Sequence, residues 1–352
     1  MPVVRNPKNL LVTGGCGFIG SAFIRYLFRQ PEFSGIVTNL DILTYAANPE
    51  NVAGSVEPSR YELVRGDICD AKLVERICLE KKIDTVVHFA AESHVDRSIL
   101  GPDLFVQTNI VGTHRLLEVV RALPHIHFHH VSTDEVFGSL GETGYFTEAT
   151  AYQPNSPYSA SKAASDHLVR AYAHTYGIST TISNCSNNYG PYQFPEKLLP
   201  LMLLNMLESR PLPVYGDGSN VRDWLYVDDH TEAIWTIVRN GTASETYNVG
   251  GEAEWSNLAL LDKLIEVFSE LTNCAPNSVR QLITFVKDRP GHDRRYAIDC
   301  SKLKRELGWA QRHDIHSGLR ETVRWYLDNQ SWVSNVRSGA YKSWINQNYG
   351  TR

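Results

Sequence analysis

Two short segments of this sequence carry residue types suited to moving protons. In the first, Tyr158 and Lys162 lie four residues apart in Tyr-Ser-Ala-Ser-Lys, so on a helix they share one face. An ammonium beside a phenol favours the phenolate, which lets the tyrosine exchange a proton near neutral pH. Helical Tyr/Lys pairs are common, so this spacing needs support from elsewhere in the chain.

The second segment is Thr133, Asp134 and Glu135, which follow Ser132 directly after an apolar run. Two adjacent acids at the end of a buried strand are costly unless they do chemistry or meet cations. Removing water from a carbon chain needs an acid for the departing hydroxyl and a base for the proton on the neighbouring carbon. Two carboxyls in differently polar surroundings can divide those roles. A solvated Thr-Asp-Glu turn is the alternative.

The elements that must position these residues alternate along the chain. Short apolar runs predict strands at residues 10–12, 36–40, 62–65, 85–90, 128–132 and 180–183, and amphipathic stretches predict helices at 18–28, 71–80, 103–121 and 157–176. This pattern is typical of an α/β fold with a doubly wound parallel (Rossmann) sheet. Sites in such folds collect at the carboxyl ends of the strands.

The first strand leads into a glycine-rich turn formed by Gly14, Gly17 and Gly20. These glycines permit a tight turn, close approach of a pyrophosphate, and close packing of helix on strand, while the helix N-terminus offers free amides. Asp41 ends the next strand 21 residues after Gly20. Its carboxylate suits two ribose hydroxyls and repels a 2′-phosphate, which favours NAD over NADP; a loop cap is the alternative. The other predicted cofactor contacts are Phe18, Ile19, Asp67, Ile68, Ala90, Ala91, Tyr158 and Lys162.

Residues 1–190 are therefore predicted to form the NAD-binding Rossmann domain, which also carries the Thr/Asp/Glu and Tyr/Lys groups. After residue 190 the predicted helices and strands become shorter, and they are separated by the turn-forming motifs Gly-Pro, Pro-x-Pro and Asp-Gly-Ser. Residues 191–352 are predicted to be mainly a smaller C-terminal α/β substrate-binding lobe, interleaved with the sheet.

The composition argues against a nucleic-acid-binding, membrane-spanning or metal-binding protein. The formal net charge of −5, without a basic stripe, argues against a nucleic-acid partner. No window has the ~18 apolar residues of a membrane span. Six scattered cysteines without metal or redox spacing indicate reduced thiols in a cytoplasmic protein. His125, His127, His129 and His130 lack partners at ligand spacing, so we expect a structural role and no metal.

Five motifs in matching order resemble the dTDP-glucose 4,6-dehydratases of the extended short-chain dehydrogenase/reductase family. They are the glycine turn, His-Phe-Ala-Ala-Glu-Ser-His-Val-Asp at 88–96, Ser-Thr-Asp-Glu-Val-Phe-Gly at 132–138, Tyr-x-x-x-Lys at 158–162, and Ser-Asn-Asn-Tyr-Gly-Pro at 186–191. The acid pair after Thr133 is much more specific than the glycine turn, and sugar 4-epimerases of the same family usually lack it. Cys16 and Phe137 depart from the family's usual alanine and tyrosine.

The resemblance implies a redox-neutral dehydration of dTDP-glucose to dTDP-4-keto-6-deoxyglucose, feeding deoxysugar biosynthesis. Tyr158, its pKa lowered by Lys162 and the nicotinamide, takes the 4-hydroxyl proton while NAD takes hydride from C4. Glu135 removes the C5 proton, Asp134 protonates the leaving 6-hydroxyl, Thr133 orients the C4 oxygen, and hydride returns to C6. Asp134 must then have a raised pKa. The resemblance also implies a homodimer, with the helices at 103–121 and 157–176 as candidate contacts.

The second lobe is expected to hold the nucleoside diphosphate. Arg222 and Arg289 resemble a pyrophosphate clamp, since guanidinium groups suit phosphate oxygens; a salt bridge is the alternative for Arg222. The other predicted substrate contacts are Ser93, His94, Asp96, Asn187, Lys197, Leu198, Tyr215, Asn257 and His292.

Three alternatives stay open. The chain fits a nucleotide-sugar 4-epimerase or a UDP- or GDP-sugar 4,6-dehydratase of the same fold. A catalytically silent NAD-binding scaffold is also open, although it does not explain why Asp134, Glu135 and Tyr158 are all present.

Overall fold

The computed structural model describes residues 4–288 and 290–337, in which strands and helices alternate. In chain order the strands of these residues are β1 (Asn9–Thr13), β2 (Ile36–Asp41), β3 (Tyr61–Arg65), β4 (Thr85–His88), β5 (His127–Thr133), β6 (Thr180–Cys185), β7 (Asn187–Tyr189), β8 (Leu212–Tyr215), β9 (Val221–Tyr226), β10 (Thr246–Val249), β11 (Glu254–Ser256) and β12 (Ile283–Val286).

The helices of the same residues follow the strands in the expected alternation. They are α1 (Phe18–Arg29), α2 (Ala71–Glu80), α3 (Val95–Leu100), α4 (Asp103–Phe105), α5 (Thr113–Ala122), α6 (Pro157–Tyr176), α7 (Leu198–Leu207), α8 (Val227–Asn240), α9 (Asn257–Thr272), α10 (Pro276–Arg280), α11 (Ser301–Leu307), α12 (Ile315–Asp328) and α13 (Gln330–Val336).

Seven strands form one parallel sheet in the order β3-β2-β1-β4-β5-β6-β10. The order reverses between β1 and β4, so the chain winds outward in both directions from the centre, as in a doubly wound Rossmann fold. Leu10 and Val12 pack with α1 and α8 on one face, while Leu11 packs with α2, α5 and α6 on the other. The predicted fold class is confirmed.

Residues after 190 contribute both to this sheet and to a second apolar core. β10 pairs with β6, and α8 packs against α1. Separately, β7, β9 and β11 form a three-stranded sheet, and β8 pairs with β12. Side chains of α7, α9 and α12 pack around Tyr189 and Trp224 in the second core.

Two predicted segments differ from the observed ones. The strand expected over 85–90 ends at His88, because Ala90 turns to donate its N–H to Thr13 Oγ1 at 3.3 Å. The helix expected over 103–121 is α4 and α5 joined through a π-helical stretch, Val106–Gly112. Within that stretch buried Asn109 donates from Nδ2 to Glu92 O and Ser161 Oγ, which ties the widened turn to its neighbours.

The histidines around β5 bond mainly to hydroxyls. His127 and His129 both bond Thr181 Oγ1, and His130 lies near Ser165 Oγ. Within 4–288 and 290–337 no group of three or more His, Cys, Asp or Glu is placed to hold a metal ion. The six cysteines, all within those ranges, are free thiols. None of the helices in the described residues is long and apolar enough to cross a membrane.

Candidate active site

A cavity of about 820 Å³ opens at the carboxyl ends of β1, β2, β4, β5 and β6. It brings together every residue that the sequence analysis assigned to catalysis or to the cofactor. Those lining residues are Gly14, Gly17, Phe18, Ile19, Gly20, Asp41, Asp67, Ile68, Ala90, Ala91, Thr133, Asp134, Glu135, Tyr158 and Lys162.

The glycine turn forms one end of this cavity. Gly14 has φ +72°, and a Cβ there would lie 2.7 Å from Ala90 Cα. A Cβ on Gly20 would lie 2.4 Å from Gly14 O, so this glycine lets α1 pack close to the turn. A Cβ on Gly17, by contrast, would meet only Gly14 O, at 3.3 Å. The space beside Gly17 at the start of α1 therefore suits an anionic group.

Asp41 lies at the end of β2 on the cavity wall and is only 6% exposed. Its Oδ2 accepts from Cys16 N at 2.9 Å, and its Oδ1 accepts from Leu43 N at 2.8 Å. Burial raises the pKa of Asp41, while these two hydrogen bonds oppose the rise. The carboxyl group is thereby fixed where a ribose is expected.

Helix α6 positions Tyr158 and Lys162. Ser156 caps its first turn through a reciprocal pair of hydrogen bonds with Ser159, and Pro157 occupies the first helical position. Both functional side chains lie on the buried face, Tyr158 at 8% and Lys162 at 4% exposure. The helical spacing predicted from sequence is confirmed.

The pKa of Tyr158 is raised, not lowered, in this structure. Burial is the main cause, followed by the charge of Glu135, and a hydrogen bond with Thr133 partly offsets both. The Lys162 ammonium donates to Val131 O at 2.9 Å and lies 3.3 Å from His130 Nε2. The lowering of the Tyr158 pKa that is expected from Lys162 together with the nicotinamide charge stays a prediction.

Thr133, Asp134 and Glu135 turn sharply out of β5 into a short 3₁₀ helix. Thr133 Oγ1 accepts from Glu135 N and approaches Asp134 Oδ1, both at 3.3 Å. Asp134 is 1% exposed, and burial, together with the charges of Glu135 and Asp223, raises its pKa well above the usual value. Glu135 is only half-buried. The predicted raised pKa of Asp134 is confirmed, and the two acids do lie in differently polar surroundings.

Four of the predicted substrate residues also line the cavity: Ser93, Asn187, Lys197 and Leu198. Lys197 donates from Nζ to Ser93 O at 2.8 Å, which links the segment before α7 to the loop after β4. Asn187 presents a buried side-chain Oδ1 that has no hydrogen-bond partner among residues 4–288 and 290–337. These groups extend the cavity from the sheet toward the second lobe.

A second set of predicted substrate residues lies together outside the cavity lining. Tyr215 donates from its hydroxyl to Asp96 Oδ2 at 3.1 Å, and its ring centroid lies 6.3 Å from that of His292. His292 Nδ1 lies 2.6 Å from Asp288 Oδ1. His94 is buried at the start of α3, and burial lowers its pKa to about 4.

Arg222 and Asn257 are also outside the lining. Arg222 is 4% exposed, its guanidinium donates to the carbonyls of Val221 and Asp293, and it lies 4.2 Å above the Tyr296 ring. Asn257 begins α9, where its N–H bonds Asn220 O at 3.0 Å. Arg289 lies outside the described residues.

The sequence analysis missed a buried junction on the cavity wall. Glu196, whose side chain is 2% exposed, accepts from Tyr45 OH at 2.8 Å and from Arg97 Nε at 3.1 Å. The Arg97 guanidinium also lies 3.7 Å above the Tyr45 ring. The sequence offers one signal for this junction, since Glu196 directly precedes Lys197. Its partners come from distant segments.

Comparison with known proteins identifies the family of this chain. A family profile described as GDP-mannose 4,6 dehydratase matches residues 11–322. The dTDP-glucose 4,6-dehydratase 1 of Escherichia coli K12 is 53% identical, with 97% of this chain and 99% of that protein covered. This chain belongs to the dTDP-glucose 4,6-dehydratase family.

Solved structures of the dTDP-glucose 4,6-dehydratase family support the assignment. The enzyme from Bacillus anthracis str. Ames, in complex with NAD, has a TM-score of 0.85 at 44% identity, covering 94% of this chain and 99% of that one. The enzyme from Streptomyces venezuelae, also solved with NAD, has a TM-score of 0.85 at 45% identity, covering 93% and 99%. These similarities favour a dehydratase over the epimerase alternative.

Proposed function

We propose that this chain catalyses the NAD-dependent dehydration of dTDP-glucose to dTDP-4-keto-6-deoxyglucose. The observation that carries the proposal is the pairing of a deeply buried Asp134, whose pKa is raised, with the half-buried Glu135 in one cavity with Tyr158. A protonated acid and an ionised base beside each other are what elimination of water requires.

The glycine turn and Asp41 fit NAD. Open space beside Gly17 at the start of α1 suits the pyrophosphate, and the fixed carboxyl of Asp41 suits the adenosine ribose. Asp67, Ile68, Ala90 and Ala91 line the same part of the cavity. When bound, NAD supplies the oxidation of the C4 hydroxyl to a ketone and the later reduction at C6.

Tyr158 and Thr133 act at the sugar's C4 oxygen. Thr133 bonds Tyr158, so a substrate hydroxyl placed between them meets both side chains. Tyr158 accepts the 4-hydroxyl proton as the ketone forms. Because the product keeps that ketone, this proton finally replaces the one that Asp134 gives to the leaving water. Because burial and the charge of Glu135 raise the pKa of Tyr158, its pKa must fall when substrate and cofactor enter. Lys162 contributes the positive charge nearest to this tyrosine on α6.

Glu135 and Asp134 carry out the elimination. Once C4 is a ketone the C5 proton is acidic, and Glu135 removes it. Asp134 gives its proton to the 6-hydroxyl, which leaves as water. Burial keeps Asp134 protonated until that step. After reduction at C6, a proton returns to C5, so no proton is gained or lost apart from the water released.

The nucleotide half of the substrate is proposed to lie along the second lobe. Lys197 and Asn187 stand at the cavity wall and suit the diphosphate and sugar. Tyr215, Asp96 and His292 form a group that suits the thymidine. Arg222 would have to exchange its carbonyl partners to reach a phosphate.

Incubating the purified protein with dTDP-glucose tests the proposal. A product lighter by one water supports it, and parallel reactions with UDP-glucose and GDP-mannose measure the preference for the base. Unchanged mass with inverted C4 configuration would show an epimerase instead. Absence of any product with NAD still bound would favour the silent scaffold.

We further propose a cytoplasmic homodimer. Exposed apolar side chains near α3 and α4 offer contact area, namely Ile99 and Val106. They lie beside the helices that the family resemblance places at a subunit contact. Sedimentation of the purified protein distinguishes a dimer from a monomer, and Val106→Arg should shift the equilibrium toward monomer if this surface is used.

A further inference from the structure

Next to Lys162 lies a buried group of polar side chains that the mechanism above does not use. Asp166 follows Lys162 by four residues on α6, so Tyr158, Lys162 and Asp166 form one stripe along the helix. Their exposures are 8%, 4% and 0% respectively. A carboxyl buried this completely is costly unless it is paired.

The Asp166 carboxyl is held by donors from three segments. Its Oδ2 accepts from Ser132 Oγ on β5 at 2.8 Å, from Tyr152 OH at 2.8 Å, and from Asn184 Nδ2 on β6 at 3.1 Å. Burial favours the neutral form, yet His130, Lys162 and Ser132 hold the pKa of Asp166 below its usual value. Asp166 is therefore a buried anion at neutral pH.

His130 lies close to both this anion and Lys162. Its Nε2 lies 3.2 Å from Asp166 Oδ1 and 3.3 Å from Lys162 Nζ. Lys162 also donates to Val131 O at 2.9 Å. A buried ammonium needs a negative charge nearby to remain protonated. Asp166 supplies that charge, and its three donors fix its position.

We propose that Asp166 is a positioning residue that keeps Lys162 charged and directed toward the catalytic cavity. The consequence for activity rests on the role proposed for Lys162 above. The charge pairing itself does not, so it can be tested separately. Loss of the Asp166 charge should leave Lys162 neutral at a lower pH than in the unmodified protein.

Other titratable groups around Lys162 keep their charge state near neutral pH. Burial lowers the pKa of His130 to about 4 and that of His88 on β4 further below its usual value. Burial raises the pKa of Tyr158 and of Cys185 on β6. Burial lowers the pKa of Lys162 to about 8, partly offset by Asp166, so Lys162 changes charge in the working range. Farther out, Asp134 and Glu135 face Tyr158, and Tyr152 and Arg170 lie behind Asp166.

The pH profile of kcat for dTDP-glucose dehydration tests the effect on activity. Charged Lys162 is present below its pKa, so activity should fall as pH rises through about 8. Asp166→Asn should move this alkaline limb to lower pH, by about 1 to 3 units for loss of a close opposite charge. Tyr152→Phe is the matched control, because it removes one hydrogen bond to Asp166 and keeps the charge. A limb that stays in place in Asp166→Asn, with kcat lowered equally at every pH, overturns the proposal.

A stability cycle tests the pairing without any assay of the reaction. Urea unfolding is measured for the unmodified chain, Lys162→Met, Asp166→Asn and the double variant. If the charges pair, each single variant leaves an uncompensated buried charge, so the double variant should lose much less stability than the sum of the two. Additive losses overturn the proposal. So does a double variant that cannot fold while Lys162→Met folds, since Asp166 would then be purely structural.

Discussion

At the scale of the residue, Glu135 is the proposed base, and its carboxylate is what the proposed elimination needs. Glu135→Gln should retain NAD and dTDP-glucose binding but lower kcat for water loss by about 10² to 10⁴, the usual effect of removing a positioned base. Binding is measured by calorimetry and water loss by product mass. Glu142→Gln makes the same change at an exposed position and serves as control. Normal turnover in Glu135→Gln would refute the assignment.

A second prediction at the residue scale concerns how Asp134 makes the stability of the protein depend on pH. Because burial raises its folded pKa, the unfolded chain releases the Asp134 proton at lower pH than the folded chain does. The contribution of Asp134 to the free energy of unfolding is therefore fully present below the pKa of the unfolded chain. It is lost as the pH rises toward the higher pKa of the folded chain. Asp134→Asn cannot ionise, so it removes this pH-dependent loss of stability, and it also blocks activity. Its stability relative to the unmodified chain should increase from pH 4 to pH 8, by roughly 1.4 kcal/mol per unit of raised pKa.

Urea unfolding at several pH values between 4 and 8 measures that difference. The same series on Asp217→Asn, at an exposed turn where the pKa is lowered by hydrogen bonds with Ser219, should not show the increase. A pH-independent difference for Asp134→Asn would mean that its carboxyl ionises normally in the folded chain.

At the scale of the element, the start of α1 depends on two glycines in different ways. Gly20→Ala would force its Cβ against Gly14 O, so α1 must move from β1. We expect about 1 to 3 kcal/mol lower stability, typical of overpacking, together with reduced NAD content. The Cβ of Gly17→Ala would have a less severe steric contact, so this variant should fold normally. Its methyl group, however, would occupy the space proposed for the pyrophosphate. Loss of NAD without loss of stability in Gly17→Ala would separate binding from packing, whereas full NAD content would remove Gly17 from the site.

At the scale of the whole molecule, Tyr45, Arg97 and Glu196 join segments that are far apart in the chain across the cavity. Tyr45→Phe removes a hydrogen bond to a buried carboxylate, which is worth about 1.5 to 3 kcal/mol. The purified variant should retain less NAD after gel filtration and unfold at lower urea. Tyr145→Phe, an exposed position, is the control. Unchanged NAD retention would show that this junction does not hold the cavity closed.

Local patterns explain why much of the site was predictable. The glycine turn, Asp41, Thr133-Asp134-Glu135 and the Tyr158/Lys162 spacing each lie within a few residues of a strand end or along one helix. Parallel strands place their carboxyl ends at one edge, so these groups had to meet there. The combined effect of Lys162 and the nicotinamide on the Tyr158 pKa stays a prediction, because helical spacing does not say where an ammonium points.

The sequence by itself determined the α/β class, the cofactor end, and the acid pair after Thr133, since apolar runs, glycines and adjacent acids are local properties. Only the tertiary structure decided how deeply Asp134 is buried, that Arg222 lies over Tyr296, and that Asp166 stands behind Lys162. Burial and charge pairing depend on segments far apart in the chain, because each buried charge is set by what distant strands and helices place around it.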